Sequence, residues 1–348
     1  MQSTRKYVFS LLRSTVACVL ALLAANVTAS DAHGDNYLHH PKAQAFINEI
    51  SAEKSFPKAK LETLLASASK SQSILDAISR PAEKTKTWAE YRPIFLTQDR
   101  IDKGVEFYRQ HEETFKQAEQ TFGVSRYVIL AIIGVETRYG KHKGNYRVVD
   151  ALATLAFDYP PRSAFFRSEL KHFLYLEKEA GIDLMTAKGS YAGAMGFGQF
   201  ISSSYRHYAV DFDGDGHRDL INNPVDAIGS VANYFKEHGW QQGMPVASLA
   251  RFMGDETQHQ QLDSVISQGP KPEKPRLTIM KIKQAGLMAD ADYADTAKAT
   301  AMAFEGTEGT EYWIGLQNFY VITRYNHSPL YAMAVYQLSE ELKKRLSS

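Results

Sequence analysis

The sequence predicts a mainly α protein of the α+β kind, helical throughout its first two thirds and carrying a small β-rich insertion near its end. Three observations carry that prediction. Apolar residues recur at mixed three- and four-residue spacing over 41–53, 57–68, 71–79 and 101–122. A proline-rich run, Gln-Gly-Pro-Lys-Pro-Glu-Lys-Pro-Arg at 268–276, then breaks the pattern. Beyond it the texture changes, with β-branched and aromatic residues gathered in Thr300–Phe304 and Glu311–Thr323 around the turn-rich Glu305-Gly306-Thr307-Glu308-Gly309.

The elements follow in order. Arg5, Lys6 and Arg13 precede an apolar run from Val16 to Ala25, and Val27-Thr28-Ala29 offers small residues before Ser30. That is the build of a secretory signal peptide spanning 1–29, too short and wrongly flanked for a stable membrane span. The alternative is a retained amphipathic anchor. Cys18, the single cysteine, lies inside this run, so the remaining 319 residues can form no disulfide. Thr15-Val16-Ala17 lacks the Leu that opens a lipobox, which disfavours lipid anchoring and favours a soluble periplasmic product. Pro57, Pro81 and Pro93 punctuate the first helices, and Gly123 ends the helical run that begins at Ile101. Ser125 is placed to cap a markedly apolar helix over Tyr127–Tyr139, stopped by Gly140. Further helices are expected over Ser163–Ala180, Pro224–His238 and Ser328–Leu346.

Without residues 1–29 the chain carries 37 Lys and Arg against 39 Asp and Glu, a balance that leaves no electrostatic footprint for nucleic acid. Its 19 Tyr, 18 Phe and 3 Trp suit stacking on sugar rings and suit an ordinary core equally well, so the count decides nothing alone.

Three segments carry chemistry. In Ile132-Ile133-Gly134-Val135-Glu136-Thr137-Arg138-Tyr139-Gly140, the acid Glu136 sits near the C-terminal end of the most apolar helix. Desolvation and the negative helix end both favour its protonated form, as a general acid requires. A structural carboxylate paired with Arg138 is the competing interpretation. The segment Gly189-Ser190-Tyr191-Ala192-Gly193-Ala194-Met195-Gly196-Phe197-Gly198-Gln199-Phe200 allows close backbone approach to a ligand, and Gln199 offers an acceptor and two donors. It is no phosphate loop, since no Gly-Lys-Ser/Thr follows. Asp211-Phe212-Asp213-Gly214-Asp215-Gly216-His217-Arg218-Asp219 opens like an EF-hand, with His217 offering its backbone carbonyl at position seven and Asp219 at position nine. Position twelve is Asn222 instead of Glu, which makes Asp226 the candidate closing ligand for Ca²⁺; a solvated acidic turn is the bland alternative. Late in the chain, Phe319-Tyr320-Val321-Ile322-Thr323-Arg324-Tyr325-Asn326-His327-Ser328 packs aromatic and polar groups where the chain leaves a strand, a setting for sugar contacts or an ordinary strand end.

Together, Gly134-Val135-Glu136-Thr137-Arg138, the Ser190–Phe200 segment, the EF-hand-like loop and Arg324-Tyr325-Asn326-His327-Ser328 resemble, in that order, the lytic murein transglycosylase B family. The likeness runs from about Trp88 to the last helix. It implies a lysozyme-like helical core with a helical N-terminal lobe and a β-rich lobe. On that basis 30–122 would be the N-terminal lobe, 123–241 the catalytic core with the calcium loop, 242–320 the β-rich lobe, and 321–348 a strand end and helix returning to the core. The resemblance implies that Glu136 is catalytic and that Tyr91, Arg162, Ser190, Gln199, Phe200, Tyr234, Tyr325, Asn326 and Tyr331 line a glycan groove. It places structural Ca²⁺ on Asp211, Asp213, Asp215, His217, Asp219 and Asp226. The implied reaction is non-hydrolytic cleavage of peptidoglycan strands between N-acetylmuramic acid and N-acetylglucosamine, leaving 1,6-anhydro ends, in cell-wall turnover. A hydrolytic muramidase and a calcium-dependent glycan-binding protein are the alternatives. A monomer is expected, with cell-wall synthesis or division proteins as candidate partners.

Overall fold

The computed structural model describes residues 36–53, 56–79, 85–267 and 271–347. The signal segment, Cys18 and the start of the proline-rich run lie outside them.

The first three helices, α1 (Pro41–Ala52), α2 (Lys58–Ser67) and α3 (Gln72–Ile78), all pack on a later one, α8 (Val148–Asp158). Next come α4 (Trp88–Phe95), α5 (Gln98–Gln110), α6 (Glu112–Phe122) and α7 (Arg126–Thr137). Every residue of α7 from Val128 to Thr137 is buried. A helix that is apolar all round has to be enclosed by others. Here the enclosure is made by α5, α6, α11 (Pro224–Glu237) and α15 (Pro329–Leu346). The similarly apolar α8 packs along α9 (Ser163–Ala180), which in turn meets α10 (Ser202–Tyr208). A short antiparallel pair, β1 (Tyr146–Arg147) and β2 (Lys188–Gly189), brings the start of the glycine-rich segment beside residue 144. There a Cβ on Gly144 would stand 2.1 Å from the carbonyl of Gly189, so glycine is required.

The remaining strands are β3 (Ala247–Phe252), β4 (Leu277–Thr278), β5 (Leu287–Ala289), β6 (Lys298–Gly306) and β7 (Gly309–Gly315), in the antiparallel order β4-β6-β7-β3-β5. One face of this sheet builds its own small core, with Ala250, Leu287, Ala301 and Ile314 against Leu262 of α12 (Glu256–Leu262) and Ile279 and Ile282 of α13 (Ile279–Gln284). The other face joins the main core through Met302 and Phe304, the latter 5.8 Å from the Trp88 ring. The chain then returns through α14 (Gln317–Tyr325) into α15. The architecture is the mainly helical one that the sequence predicts, with a small curled sheet.

Four local expectations need correction. The helix over 101–122 is two helices, broken at His111 (φ −127°, ψ 25°). The apolar helix stops at Thr137, two residues early, because Arg138 (φ 49°) and Tyr139 (φ 59°) both take the left-handed conformation. Ser125 stands at that helix's N-cap but its side chain makes no capping hydrogen bond. The strand over 311–323 ends at Gly315, and its second half is α14. Asn318 and Ile322, and Phe319 and Thr323, are buried pairs four apart, so the aromatic and β-branched content signalled burial and not extension. The helix α8 was not anticipated.

Candidate active site

Glu136, the penultimate residue of α7, is 2% exposed. Its Oε1 accepts a 2.5 Å hydrogen bond from the Tyr331 hydroxyl, on the first turn of α15. That turn is itself set by Ser328, whose Oγ caps the helix by accepting from the Tyr331 amide. One link upstream, Tyr325 at the end of α14 donates to the carbonyl of Gly198 at 2.6 Å. Tyr234 of α11 donates to the Arg324 carbonyl at 2.6 Å, and its ring meets Tyr325 edge-on at 4.8 Å. Phe200 stands 5.9 Å from both rings. Burial, with the charge of Glu136 next, pushes the phenols of Tyr331 and Tyr325 well above the usual range. Burial raises Tyr234 as well. All three therefore remain neutral O–H donors. Tyr91, on α4, is wholly buried near Tyr331.

The glycine-rich segment folds back on itself. Met195 and Phe200 exchange two 2.9 Å backbone hydrogen bonds, and the Ser190 amide donates to the Ala194 carbonyl at 2.8 Å. The buried Ser190 Oγ accepts from the amides of Ala192 and Ala194, at 3.3 and 3.1 Å, which leaves its hydroxyl hydrogen to give. Gln199 sits at φ 50° and fixes its Nε2 on the carbonyls of Lys143 (3.1 Å) and Gly196 (2.9 Å). Its buried Oε1 has no hydrogen-bond partner, nor has either amide atom of Asn326, which is 1% exposed. Buried polar atoms left unpaired in this way cost stability and mark where a ligand's own donors and acceptors fit.

Arg162 stands at the N-cap of α9. Its guanidinium lies over Phe165 (4.5 Å) and Phe166 (5.3 Å) at the start of α9, and its charge reaches His327. Sequence reasoning quoted His327 in the late motif without giving it a role; burial, Arg324, His238 and Arg162 hold it down to about 4. The same reasoning passed over Lys143, whose carbonyl anchors Gln199; a backbone role leaves no signal in residue type.

In the acidic loop, oxygens of Asp211, Asp213 and Asp226 all lie within 4.8 Å of one another. Asp226, wholly buried at the start of α11, accepts from the amides of Phe212 and Asp219 at 2.8 Å each. Asp211 accepts from Gly214, Asp215 and Gly216. The loop does not gather Asp215 or Asp219 into this cluster. Asp215 accepts from the His217 amide at 2.7 Å, and Asp219 caps the turn at Ile221 and Asn222. Three convergent carboxylates are a hard-oxygen donor set of the kind that Ca²⁺ takes.

The body that carries this buried, tyrosine-bonded acid is a helical, lysozyme-like one, the fold of the lytic transglycosylases. Residues 39–340 match the transglycosylase SLT domain, and the chain belongs to this family of lytic murein transglycosylases, lyases that cleave peptidoglycan. It is 41% identical over 316 residues to the membrane-bound lytic murein transglycosylase B of Escherichia coli strain K12, covering 88% of this chain and 84% of that protein. Among solved structures it resembles the soluble lytic transglycosylase SltB1 of Pseudomonas aeruginosa, with 49% identity, TM-score 0.81, and 88% and 100% of the two chains covered. The Escherichia coli transglycosylase Slt35 in complex with calcium matches at 40% identity and TM-score 0.80, covering 90% and 96%. SltB3 of Pseudomonas aeruginosa in complex with NAG-anhNAM-pentapeptide matches at 27% identity and TM-score 0.75, covering 87% and 78%. No helix among the described residues is long and apolar enough to cross a membrane.

Proposed function

We propose that the protein cleaves the β-1,4 bond between N-acetylmuramic acid and N-acetylglucosamine without water, with Glu136 as acid and then base. The observation that carries this is the fate of the buried carboxylates. Among the described residues three are buried: Glu136, Glu169 and Asp226. Glu169 holds the Ser203 amide at 2.9 Å, and Asp226 is occupied in the acidic loop. Glu136 alone meets the buried phenols, through the Tyr331 hydroxyl, whereas a hydrolase of the usual kind needs two carboxyl groups across the bond.

As the acid, Glu136 gives its proton to the glycosidic oxygen as the bond to C1 breaks. The substrate's own N-acetyl carbonyl stabilises the charge at C1. Glu136, now a carboxylate, takes the proton from the C6 hydroxyl, whose oxygen closes on C1 to form the 1,6-anhydro ring. The proton balance closes and water is not consumed. Tyr331 holds Glu136 in place through its 2.5 Å hydrogen bond. Gln199 Oε1, the Asn326 amide and the Ser190 hydroxyl supply donors and acceptors to the sugar's acetamido and hydroxyl groups. Tyr91, Phe200, Tyr234 and Tyr325 form the aromatic wall, and Arg162 contacts the strand further along. Ca²⁺ would be held by Asp211, Asp213 and Asp226 and would stiffen the loop that abuts the glycine-rich segment. The setting is cell-wall turnover in the periplasm.

The test is mass spectrometry of muropeptides released from purified sacculi. Products should end in 1,6-anhydro-muramic acid, lighter by one water than reducing ends, and Glu136→Gln should cut their release by at least about 10³-fold. Reducing-end products would make the enzyme a muramidase, and release undiminished in Glu136→Gln would remove Glu136 from the chemistry.

A further inference from the structure

We infer that Thr137 is a positioning residue, whose hydroxyl sets the spacing between Glu136 and the Gln199 segment. The inference rests on the reading of Glu136 as the acid and base.

Thr137 follows Glu136 directly and is wholly buried. Its Oγ1 stands 2.9 Å from the Phe197 carbonyl oxygen and 3.1 Å from that of Ile133, and it accepts from the Gly140 amide at 2.9 Å. The bond to Ile133 is the ordinary back-bond of a helical threonine. The Gly140 bond is also local and draws the left-handed turn Arg138-Tyr139-Gly140 back under the helix end; the Phe197 contact, the shorter of the two that share the single hydroxyl hydrogen, crosses 60 residues to the glycine-rich segment.

What Thr137 holds there matters. Phe197 lies two residues before Gln199, and its amide is fixed from the far side by the Leu220 carbonyl at 3.0 Å. Next in line, the Gly198 carbonyl receives the Tyr325 hydroxyl. The contact is also tight: a Cβ on Gly140 would stand 2.1 Å from the Phe197 ring. The helix end and the segment are thus interlocked, with Thr137 as the hydrogen-bonded pin. Three non-glycine residues take positive φ around this junction, Arg138, Tyr139 and Gln199. Such conformations persist only where surrounding bonds over-determine them. Remove the pin, and the Gln199 acceptor loses its fixed distance from Glu136.

Thr137→Val keeps the shape and deletes the hydroxyl, and Thr137→Ser keeps the hydroxyl and deletes the methyl. Each full-length protein is assayed for kcat and KM of anhydro-product release from purified glycan strands, well below its own melting temperature. Amide hydrogen exchange over Phe197–Phe200 is followed in parallel. Thr137→Val should lose about 10- to 100-fold in kcat with KM within about threefold, the size expected of a misplacement near 1 Å. Exchange over that segment should rise about tenfold or more, and Thr137→Ser should restore kcat to within about threefold. An active parent whose Thr137→Val variant melts lower but keeps its kcat overturns the inference and reduces Thr137 to a packing residue. Failure of Thr137→Ser to rescue does the same. A parent that releases no anhydro product overturns the reading of Glu136, and this inference with it.

Discussion

Two acidic regions of the molecule treat their polar atoms in opposite ways. In the loop from Asp211 to Asp226 the carboxylates are hydrogen-bonded from within, since Asp211 takes three backbone amides and Asp226 two. Glu136 has its Tyr331 partner, yet Gln199 Oε1, in the glycine-rich segment, and both amide atoms of Asn326, next to Tyr325, are buried with nothing to bond. The loop keeps its shape through its own amides. The groove, by contrast, keeps a shape that costs it stability, with that cost returned when a ligand supplies the missing partners.

The sharpest way to break this comparison is Asn326→Leu. In an ordinary core, replacing a hydrogen-bonded Asn is destabilising. Here the side chain removed is buried and unsatisfied, and its backbone is extended (φ −137°, ψ 127°), a conformation that Leu accepts. Stability by urea melts should be unchanged or higher by up to about 1–2 kcal/mol. Turnover of glycan strands should fall by about 10²-fold, as expected when a preorganised hydrogen-bonding group is lost. A variant that is clearly less stable would show that Asn326 is a structural amide.

The opposite substitution belongs to the loop. Asp226→Ala leaves the Phe212 and Asp219 amides without their acceptor and should cost about 2–4 kcal/mol. In the parent, free calcium at about a hundred times its Kd should add about 2.7 kcal/mol, measured as a shift in the urea midpoint, and Asp226→Ala should abolish that shift. With calcium at saturation, kcat of the parent should change little. A melting curve indifferent to both calcium and EDTA would remove the metal from the account.

How much of this was legible depends on distance along the chain. The helices over 163–180 and 224–237 were readable to within a residue, because Gly181 and Pro224 mark their ends. Glu136 stood out as one acid in an apolar run, and alternate aspartates announced the loop. The break at His111 and the left-handed Arg138 and Tyr139 were not readable, since no glycine or proline stands at any of these positions. Nor was the α14 helix, whose Tyr, Val, Ile and Thr suggest a strand until the four-residue spacing of Asn318 and Ile322 is weighed above their propensities. The contacts that make the site were the least legible. Tyr331 and Glu136 are 195 residues apart, and no spacing rule joins them; only resemblance nominated Tyr331.

The smallest predicted effect separates the two regions by pH. His327, beside the unpaired Asn326, is held down to about 4 by burial and then by Arg324, His238 and Arg162, against about 6.5 in the unfolded chain. Between those values the unfolded state binds the extra proton, so the contribution of His327 to stability is complete above about pH 6.5 and lost as pH falls towards 4. With the ring half-buried, the loss should be on the order of 1–2 kcal/mol. The loop's Asp213, held below the usual carboxylate range by its bond from Asn223, contributes its loss only at lower pH. Urea melts at pH 7 and pH 5 should therefore show a decline that His327→Gln reduces by about half. The remainder is shared by His172, also held down to about 4 by burial and by Arg206, and by His111 and His142, which burial holds below the usual range. If His327→Gln leaves the slope between pH 7 and 5 unchanged, the acid sensitivity lies elsewhere.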